Sequence, residues 1–168
     1  DDALIPSGLG SKPFDGEGLP SRKNVVVDRG ELKTWLMDSY SARKLGLEST
    51  GSASRGIGSA PSVGPTNLPL AAGAGGSLDD IIADTKRGLL VTELIGMGFN
   101  PVTGDYSRGA AGLWIENGEV VHPVEEITIA GNLGEMLAAI DCVGSELRWL
   151  SSAAAPPLRI AKMTVAGE

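Results

Sequence analysis

The 168-residue chain has a single cysteine and a single histidine, and only 4% of its residues are aromatic. One cysteine excludes an internal disulfide and favours a reducing compartment. One histidine leaves only His122 for a zinc site or a catalytic triad, whereas zinc sites normally have three or four His, Cys or carboxylate ligands. With so few aromatic rings, the core must be built from Leu, Ile, Val and Ala.

The chain also lacks a basic stripe. Its net charge is −7, and its longest basic clusters are the pairs Arg22-Lys23 and Arg43-Lys44. Nucleic-acid binding requires cationic side chains that neutralise phosphates, so we expect no nucleic-acid partner. No segment approaches the run of about 18 apolar residues that would span a bilayer, so we expect no membrane insertion. The acidic balance is typical of a cytoplasmic protein.

The N-terminal stretch, DDALIPSGLG, has neither an initiator Met nor the basic-then-apolar layout of a signal peptide. We therefore expect the chain to begin inside a longer protein. The hydrophobic content of 42% is enough for the core of one domain, and the 24 glycines indicate many tight turns. The sequence predicts a single domain over 1–168.

The first half of that domain combines a hairpin with a long flexible stretch. The β-branched run Val25–Val27, a turn at 28–30 and the period-two pattern up to Leu36 predict a β-hairpin. The segment 49–64 consists almost entirely of Gly, Ser, Ala and Pro, which predicts a flexible surface loop. A short strand is expected to follow in 65–73.

Helix signals occur at three places, each beginning at a side chain that can cap a first turn: 39–46 with Ser39, 78–88 with Ser77, and 132–140 with Asn132. Gly46 would end the first helix. In the second, Lys86 and Arg87 would occupy the last turn and Gly88 would end it.

Strand signals dominate the second half. Asn117-Gly118 tolerates the positive φ angles of a tight turn and is the strongest hairpin signal in the chain. The predicted strands are a buried one at 89–96, the two hairpin strands at 110–116 and 119–129, and two last strands near 145–150 and 157–165. The predicted fold is α+β, mainly antiparallel sheet and hairpins with two or three short helices.

Two residues suited to chemistry have simpler explanations. His122 lies on the predicted hairpin, and Glu125 and Glu126 would point to opposite faces of a strand, so a hairpin side chain is favoured over a metal ligand. Cys142 follows Asp141 and lacks the cationic neighbour that stabilises a reactive thiolate, so a packed small side chain is favoured over a catalytic thiol.

The segment NPVTGDYSRG (100–109) is the strongest candidate site. It places a carboxylate, a phenol, two hydroxyls and a guanidinium on one glycine-flanked loop between two predicted strands. Binding residues collect on such loops when a rigid sheet positions them. In the alternative interpretation, Asp105 caps backbone amides and pairs with Arg108, and so only holds the shape of the loop. The residues by themselves leave both interpretations open.

A long motif carries a family resemblance. GDYSRGAAGLWIENGEVVHPVEEITIAGN, preceded by LLVTELIGMGFNPVT and earlier by KPFDGEG and SYSARKLGLESTG, closely resembles the C-terminal region of the TldD/PmbA family, in its PmbA/TldE branch. The resemblance extends from about residue 9 to the terminal KMTVAGE and is poorest at 52–64.

The resemblance implies a metallopeptidase-type protein, and family members are also described as proposed modulators of DNA gyrase. It implies a cytoplasmic heterodimer in which a TldD-like subunit holds zinc through an HExxxH helix and a C-terminal cysteine. Unfolded peptides would enter an enclosed chamber for maturation or degradation, held by strand-like pairing. The family's signature loop, at or near that chamber, would be Thr103, Gly104, Asp105, Tyr106, Ser107 and Arg108.

The sequence departs from the catalytic pattern of that family. HExxxH is absent, and the segment expected to hold the ligand cysteine reads LSSAAAPPLR. The resemblance therefore implies the non-catalytic subunit, with no catalytic residue, metal ligand or cofactor in this chain, and with zinc only in the TldD-like partner. The alternative is a non-enzymatic protein-binding or regulatory module that contacts gyrase or an antitoxin complex. A homodimer is a further alternative for the assembly.

Overall fold

A computed structural model describes residues 1–167. These residues fold as two compact units. The first unit comprises Asp1–Ala71 and Leu147–Ala155, and the second comprises Ala72–Glu146 and the residues from Pro156 onward. The predicted α+β class is confirmed, since small and mostly antiparallel sheets combine with three short helices along the described chain.

The elements follow one another as β1 (Val27–Asp28), β2 (Glu31–Leu32), α1 (Ser39–Leu45), β3 (Ala53–Ser54), β4 (Ser62–Val63), β5 (Leu68–Pro69), α2 (Leu78–Ala83), β6 (Arg87–Ile95), β7 (Asp105–Glu116), β8 (Glu119–Asn132), α3 (Leu133–Ala138), β9 (Ile140–Val143), β10 (Arg148–Trp149), β11 (Ala153–Ala155), β12 (Leu158–Ile160) and β13 (Thr164–Ala166). No helix within residues 1–167 is long and apolar enough to cross a membrane.

The predicted first hairpin is present but short. β1 and β2 pair antiparallel around Arg29 and Gly30, which take positive φ angles of 50° and 83°. Each strand has only two residues, and one further bond joins their flanks, from the Lys33 N–H to the Val26 carbonyl at 2.8 Å. Beyond it the backbone bonds elsewhere: the Asn24 N–H donates to the Asp1 carbonyl, and the Met37 N–H donates to the Thr50 hydroxyl. Long-range hydrogen bonds therefore replace the extended ladder that the sequence pattern predicted.

Two predictions for the first unit are wrong in part. The helix α1 is capped by Asp38, not by Ser39, since the Asp38 carboxylate accepts from the Ser41 N–H at 2.7 Å. The predicted end is confirmed, because Gly46 takes a left-handed φ of 68° there. The predicted surface loop 49–64 is buried over residues 50–53 and contains the β3–β4 hairpin.

The second unit is built on a four-stranded antiparallel sheet in the order β13-β8-β7-β6. Asn117 and Gly118, with φ angles of 52° and 83°, form the turn of the β7–β8 hairpin, as the sequence predicted. The hairpin is longer than expected, since β7 already begins at Asp105. The predicted strand 89–96 is β6, but it lies at the edge of the sheet and is half-buried or exposed, not buried.

The core of this unit lies at the centre of the sheet. Ala110, Ile127 and Ile129 are buried together, and partly buried side chains surround them: Leu89, Val91, Tyr106, Val124 and Met163. Ala110 and Ile127 are register partners on β7 and β8 and so share one face. The core therefore lies only a few residues along β7 from the candidate site.

The helix α2 begins as predicted and ends early. Ser77 forms a capping box with Asp80, and the helix ends at Ala83 instead of continuing to Gly88. The cause is the β7–β8 turn: the Asn117 N–H donates to the Lys86 carbonyl at 2.7 Å and the Gly118 N–H donates to the Thr85 carbonyl at 2.9 Å. Because the Thr85 and Lys86 carbonyls accept hydrogen bonds from the hairpin, they are not used for further helical turns, and the chain continues as β6.

The last part of the chain is more divided than predicted. Asn132 caps α3 as expected, accepting from the Gly134 N–H at 3.0 Å, but the helix ends at Ala138 because Ile140 already begins β9. Instead of two last strands near 145–150 and 157–165, the chain forms β9 to β13 in short pieces. In the first unit β10 and β11 pair antiparallel, and β11 pairs parallel with β5.

Candidate functional site

The connection between β6 and β7, residues 96–104, forms an arm that folds back onto the start of β7. The Ser107 N–H donates to the Gly98 carbonyl at 2.7 Å, and the Asn100 N–H donates to the Asp105 carbonyl at 2.9 Å. A bridge between Phe99 and Tyr106 lies between these bonds. The arm is therefore held to the strand by backbone pairing.

Glycine is required where the arm meets the strand. A Cβ on Gly98 would lie 1.6 Å from the Ser107 carbonyl oxygen, far inside the contact distance of two non-bonded atoms. Gly104, at the other end of the arm, has a φ of 78°, which favours glycine. These two positions fix how the backbone enters and leaves the candidate site.

The tip of the arm is organised by Asn100. Its side-chain oxygen accepts from the Val102 N–H at 2.9 Å and from the Thr103 N–H at 3.3 Å. The Gly104 N–H closes the turn on the Asn100 carbonyl at 2.8 Å. One asparagine thus satisfies three consecutive turn residues, which is the usual role of Asn at the start of a turn.

Thr103 and Asp105 form the polar pair of the site. The Thr103 hydroxyl donates to the Asp105 carboxylate at 2.7 Å and accepts from the Asp105 N–H at 3.3 Å. Both residues are exposed. An oriented, exposed carboxylate can accept hydrogen bonds from the backbone or side chains of a bound ligand.

The ion pair between Asp105 and Arg108 that the alternative interpretation requires does not occur in the part of the protein that the structure describes. The Arg108 guanidinium instead donates to the Leu94 carbonyl at 3.2 Å, and its Nε is buried without a hydrogen-bond partner. Arg108 therefore ties β7 to the end of β6. The shape of the arm depends on Asn100 and Thr103, not on an ion pair.

The six predicted residues do not form one loop. Only Thr103 and Gly104 lie in the turn, and the other four belong to β7. Alternation along a strand puts Asp105 and Ser107 on one face and Tyr106 and Arg108 on the other. Tyr106 packs against the apolar core. Thr103, Asp105 and Ser107 are therefore exposed. Tyr106 and Arg108 instead bind the start of β7 to the core and to β6.

Asn132 is a member of the site that the sequence did not predict as one. It lies opposite Asp105 in the β7–β8 register. Its amide nitrogen donates to the Thr103 carbonyl at 2.9 Å, while its amide oxygen accepts from the Gly134 N–H. The Leu133 N–H also donates to the Gly104 carbonyl at 2.8 Å. The start of α3 therefore holds the arm from the side opposite β6.

The outer surface of the arm is apolar. Met97 and Val102 are almost fully exposed, and Phe99 is about half exposed, as is Ile95 at the adjoining end of β6. These residues are close in sequence to the exposed group of Thr103, Asp105 and Ser107. Contiguous exposed apolar patches, unlike singly exposed apolar residues, mark surfaces of contact.

The residues present do not fit a zinc site. Within residues 1–167, no three side chains of His, Cys, Asp or Glu come close enough to hold a metal ion. His122 lies on β8 opposite Trp114, and Glu126, with a φ of 56°, lies where the β7–β8 register shifts. Cys142 is half-buried on β9, with its sulfur 3.9 Å from the Gly75 carbonyl oxygen.

Comparison with known proteins gives one consistent result. A family model described as the PmbA/TldA metallopeptidase C-terminal domain matches residues 1–167. The chain is 45% identical over 161 residues to the metalloprotease PmbA of Escherichia coli O157:H7, covering 96% of this chain and 34% of that protein. It is 31% identical over 150 residues to a metalloprotease TldD homologue of Buchnera aphidicola, and the match covers 88% of this chain and 31% of that protein.

Solved structures agree with these sequence matches. TldE from Thermococcus kodakarensis superposes with a TM-score of 0.89 at 34% identity, covering 99% of this chain and 39% of that one. A Thermotoga maritima protein named for a proposed modulation of DNA gyrase has a TM-score of 0.89 at 38% identity, and the match covers 99% of this chain and 38% of that one. The chain spans about a third of the length of the curated relatives that it matches.

Proposed function

We propose that this chain, which belongs to the PmbA/TldD metallopeptidase family as its C-terminal domain, is part of a PmbA/TldE-like subunit. That subunit works in the cytoplasm with a TldD-like subunit, which holds the zinc ion. This chain supplies contacts to the partner and to unfolded peptide substrates, and it contributes no catalytic residue.

The degree of similarity supports the choice of branch. Identity to the PmbA of Escherichia coli O157:H7 is 45%, and identity to the TldD homologue of Buchnera aphidicola is 31%, over similar lengths. The high structural similarity to a protein named TldE points to the same branch. A zinc ion bound to the TldD-like subunit would supply an activated water for peptide hydrolysis.

The observation that carries the substrate role is the construction of the arm. Asn100, Asn132 and Gly98 fix the backbone, so that Asp105 and Ser107 are exposed on one face of β7. Fixed polar groups beside exposed apolar side chains suit a peptide, which offers both backbone N–H groups and apolar side chains.

The neighbouring strand offers a second means of holding an extended peptide. β6 lies at the edge of the four-stranded sheet, and no further strand pairs with its outer side among residues 1–167. Backbone pairing at a sheet edge binds an extended peptide with little dependence on its side chains. A peptidase that accepts unfolded chains of differing sequence needs contacts of this kind.

The test uses the full-length protein, purified alone and together with a TldD-like partner. Zinc content and cleavage of an unstructured peptide are measured in both preparations. We expect zinc and cleavage only when the partner is present. Metal-dependent cleavage by the lone protein would contradict the proposal.

The arm is tested separately in the complex. We expect Asp105→Asn to raise KM for the peptide by about tenfold, the equivalent of one hydrogen bond to a charged group. Asp79→Asn is the matched control, because Asp79 is exposed in the first turn of α2 and belongs to neither the arm nor the capping box. The substrate role of the arm would be contradicted if both variants raised KM equally, or if neither variant changed it.

A regulatory module without enzymatic activity is the second candidate function. The name of the Thermotoga maritima relative and the exposed apolar arm favour it. DNA supercoiling by purified gyrase, measured with and without the full-length protein, separates the two. Inhibition or stimulation that Met97→Ser abolishes would favour the regulatory module, whereas unchanged supercoiling together with partner-dependent cleavage favours the peptidase subunit.

A further inference from the structure

The β7–β8 turn contains the chain's one Asn-Gly dipeptide. Asparagine before glycine is the sequence most prone to spontaneous deamidation, because glycine has no Cβ to shield its backbone nitrogen. Asn117 is exposed at the tip of the hairpin. Sequence and exposure together therefore favour chemical modification at this position.

The conformation of the turn opposes that reaction. The Gly118 N–H, whose nitrogen would be the nucleophile, donates to the Thr85 carbonyl at 2.9 Å. The Asn117 N–H is also engaged, with the Lys86 carbonyl at 2.7 Å. A Cβ on Gly118 would lie 2.6 Å from the Ala83 carbonyl oxygen, so the turn is packed tightly against the end of α2. The nitrogen can react only after the turn separates from residues 83–86.

One arginine holds those residues in place. The Arg159 guanidinium donates to the Asp84 carboxylate at 3.0 Å and to the Thr85 hydroxyl at 3.3 Å. Its Nε donates to Asp141 on β9 at 2.9 Å. These carboxylates raise the pKa of Arg159 further above its already high value, so the group is charged at every physiological pH. Arg159 thus fixes the segment whose carbonyl groups restrain the turn.

We propose that Asn117 is a latent deamidation site and that the contacts of Arg159 with Asp84, Thr85 and Asp141 keep it closed. When the turn opens, the deprotonated backbone nitrogen of Gly118 attacks the carbonyl carbon (Cγ) of the Asn117 side-chain amide. A new bond between these two atoms closes a succinimide ring, the bond from that carbon to the amide nitrogen breaks, and ammonia leaves with the proton taken from Gly118. Water then opens the ring at either carbonyl and gives aspartate or isoaspartate.

The product changes the hairpin in two ways. A new carboxylate joins Glu116 and Glu119, which flank the turn and are paired in the register. Isoaspartate also inserts a methylene group into the backbone, which a tight two-residue turn cannot accommodate. Deamidation of Asn117 is therefore expected to weaken the end of the β7–β8 hairpin opposite the arm.

The experiment compares the full-length protein, its Arg159→Gln variant and a free peptide of residues 113–121 at mildly alkaline pH. Mass spectrometry of the fragment that contains Asn117 follows conversion of the amide to an acid and separates isoaspartate from aspartate. We expect the folded protein to deamidate at least about tenfold more slowly than the peptide. The Arg159→Gln variant should deamidate about tenfold faster than the original protein. A protein that reacts as fast as the peptide would overturn the proposal.

Two further variants separate local opening from general loss of stability. Ile127→Val weakens the core and leaves every contact of Arg159 intact, so its deamidation rate should equal that of the original protein. Arg159→Lys keeps the charge but loses the planar fork of donors, and an intermediate rate is expected. If Ile127→Val accelerates the reaction as much as Arg159→Gln, opening is global and the role of Arg159 is refuted.

Discussion

The two units bury different kinds of residue. The first unit contains all of the buried polar residues in the described part of the protein: Asp15, Ser21, Asn24, Asp38, Thr50, Ser52, Thr66 and Asn67. The second unit contains the buried isoleucines: Ile81, Ile115, Ile127 and Ile129. The first unit also buries apolar residues, but apart from Met37 they are alanines: Ala3, Ala42, Ala53 and Ala154. Hydrogen bonds from buried side chains to the backbone therefore add to a small apolar core in the first unit, whereas the second unit has larger apolar side chains packed on a sheet.

The lengths of the strands explain this difference. Strands of two or three residues in the first unit leave most backbone N–H and C=O groups without a ladder partner, and buried groups of this kind must be paired. Asp15 shows the solution: its carboxylate accepts from the N–H groups of Glu17, Leu19 and Ala53. Where the ladder is long, as in β7 and β8, side chains are free to be apolar.

The largest effect is expected from a cavity in the apolar core. Ile129→Ala should lower the free energy of unfolding of the second unit by about 2 to 5 kcal/mol, since Ile129 is only 5% exposed. Urea denaturation, with hydrogen exchange of β8 as the local probe, measures the loss. A loss below about 1 kcal/mol would mean that the sheet does not depend on its core.

A polar deletion in the first unit should cost nearly as much. Asn67 is fully buried: its side-chain oxygen accepts from the Gly10 N–H, and its nitrogen donates to the Asp2 carbonyl, both at 2.8 Å. Asn67→Ala leaves these groups unpaired and should lower the free energy of unfolding, measured by urea denaturation, by about 2 to 4 kcal/mol.

Asn100→Ala is the matched control for that variant. The Asn100 side chain likewise bonds to two backbone groups, the N–H groups of Val102 and Thr103, but it is exposed, so water can replace it. We expect this variant to lose less than about 1 kcal/mol. Equal losses from both variants would show that burial does not determine the strength of the polar network.

Within the second unit, the attachment of the arm to β7 depends on close backbone packing at Gly98. Gly98→Ala forces the arm away from the Ser107 carbonyl and should lower the free energy of unfolding by about 1 to 3 kcal/mol. Its control is Gly96→Ala, where φ is 73° but no atom lies within 4 Å of an added Cβ. The control should lose only the cost of a left-handed φ for an L-residue, about 1 to 2 kcal/mol. Faster hydrogen exchange at Ser107 in Gly98→Ala alone would confirm the cause.

The smallest effect concerns pH. Hydrogen bonds from the Ser77 hydroxyl and N–H lower the pKa of Asp80 in the folded protein, so its stabilising contribution is complete above the unfolded pKa, near about 4. That contribution is lost as pH falls through the lowered folded pKa. Comparing the melting temperatures of the original protein and Asp80→Asn across this range should show a difference that disappears in acid. A difference that persists there would contradict the capping role.

The sequence predicts the features of this fold that depend on neighbouring residues. The Asn117-Gly118 turn and the caps at Ser77 and Asn132 are set by local backbone preference, and all three occur as predicted. The end of α2 was missed because the Thr85 and Lys86 carbonyls accept from the distant β7–β8 turn. Segment 49–64 was misjudged because the Thr50 carbonyl, the Thr50 hydroxyl and the Ala53 N–H bond to residues far away in sequence.

The candidate site shows the same limit. The sequence indicated a polar loop at 100–109, but it did not predict that β7 already begins at Asp105 or that the strand divides those residues between two faces. Counting outward from the Asn117-Gly118 turn would place Ala130 opposite Asp105, whereas two register shifts bring Asn132 there. Bulges of this kind depend on local geometry that residue type does not reveal. Asn132 therefore could not be recognised as a partner of the arm.

The construction of the arm has an evolutionary consequence. The contacts that anchor it involve glycines, backbone groups and the side chains of Asn100 and Asn132, whereas Met97 and Val102 project outward and contribute little to the anchoring. The outward side chains can be exchanged by mutation while the scaffold stays unchanged. If the arm has the proposed substrate role, related proteins with the same fold would diverge in the peptides that they prefer through single substitutions at these two positions, with almost no loss of stability.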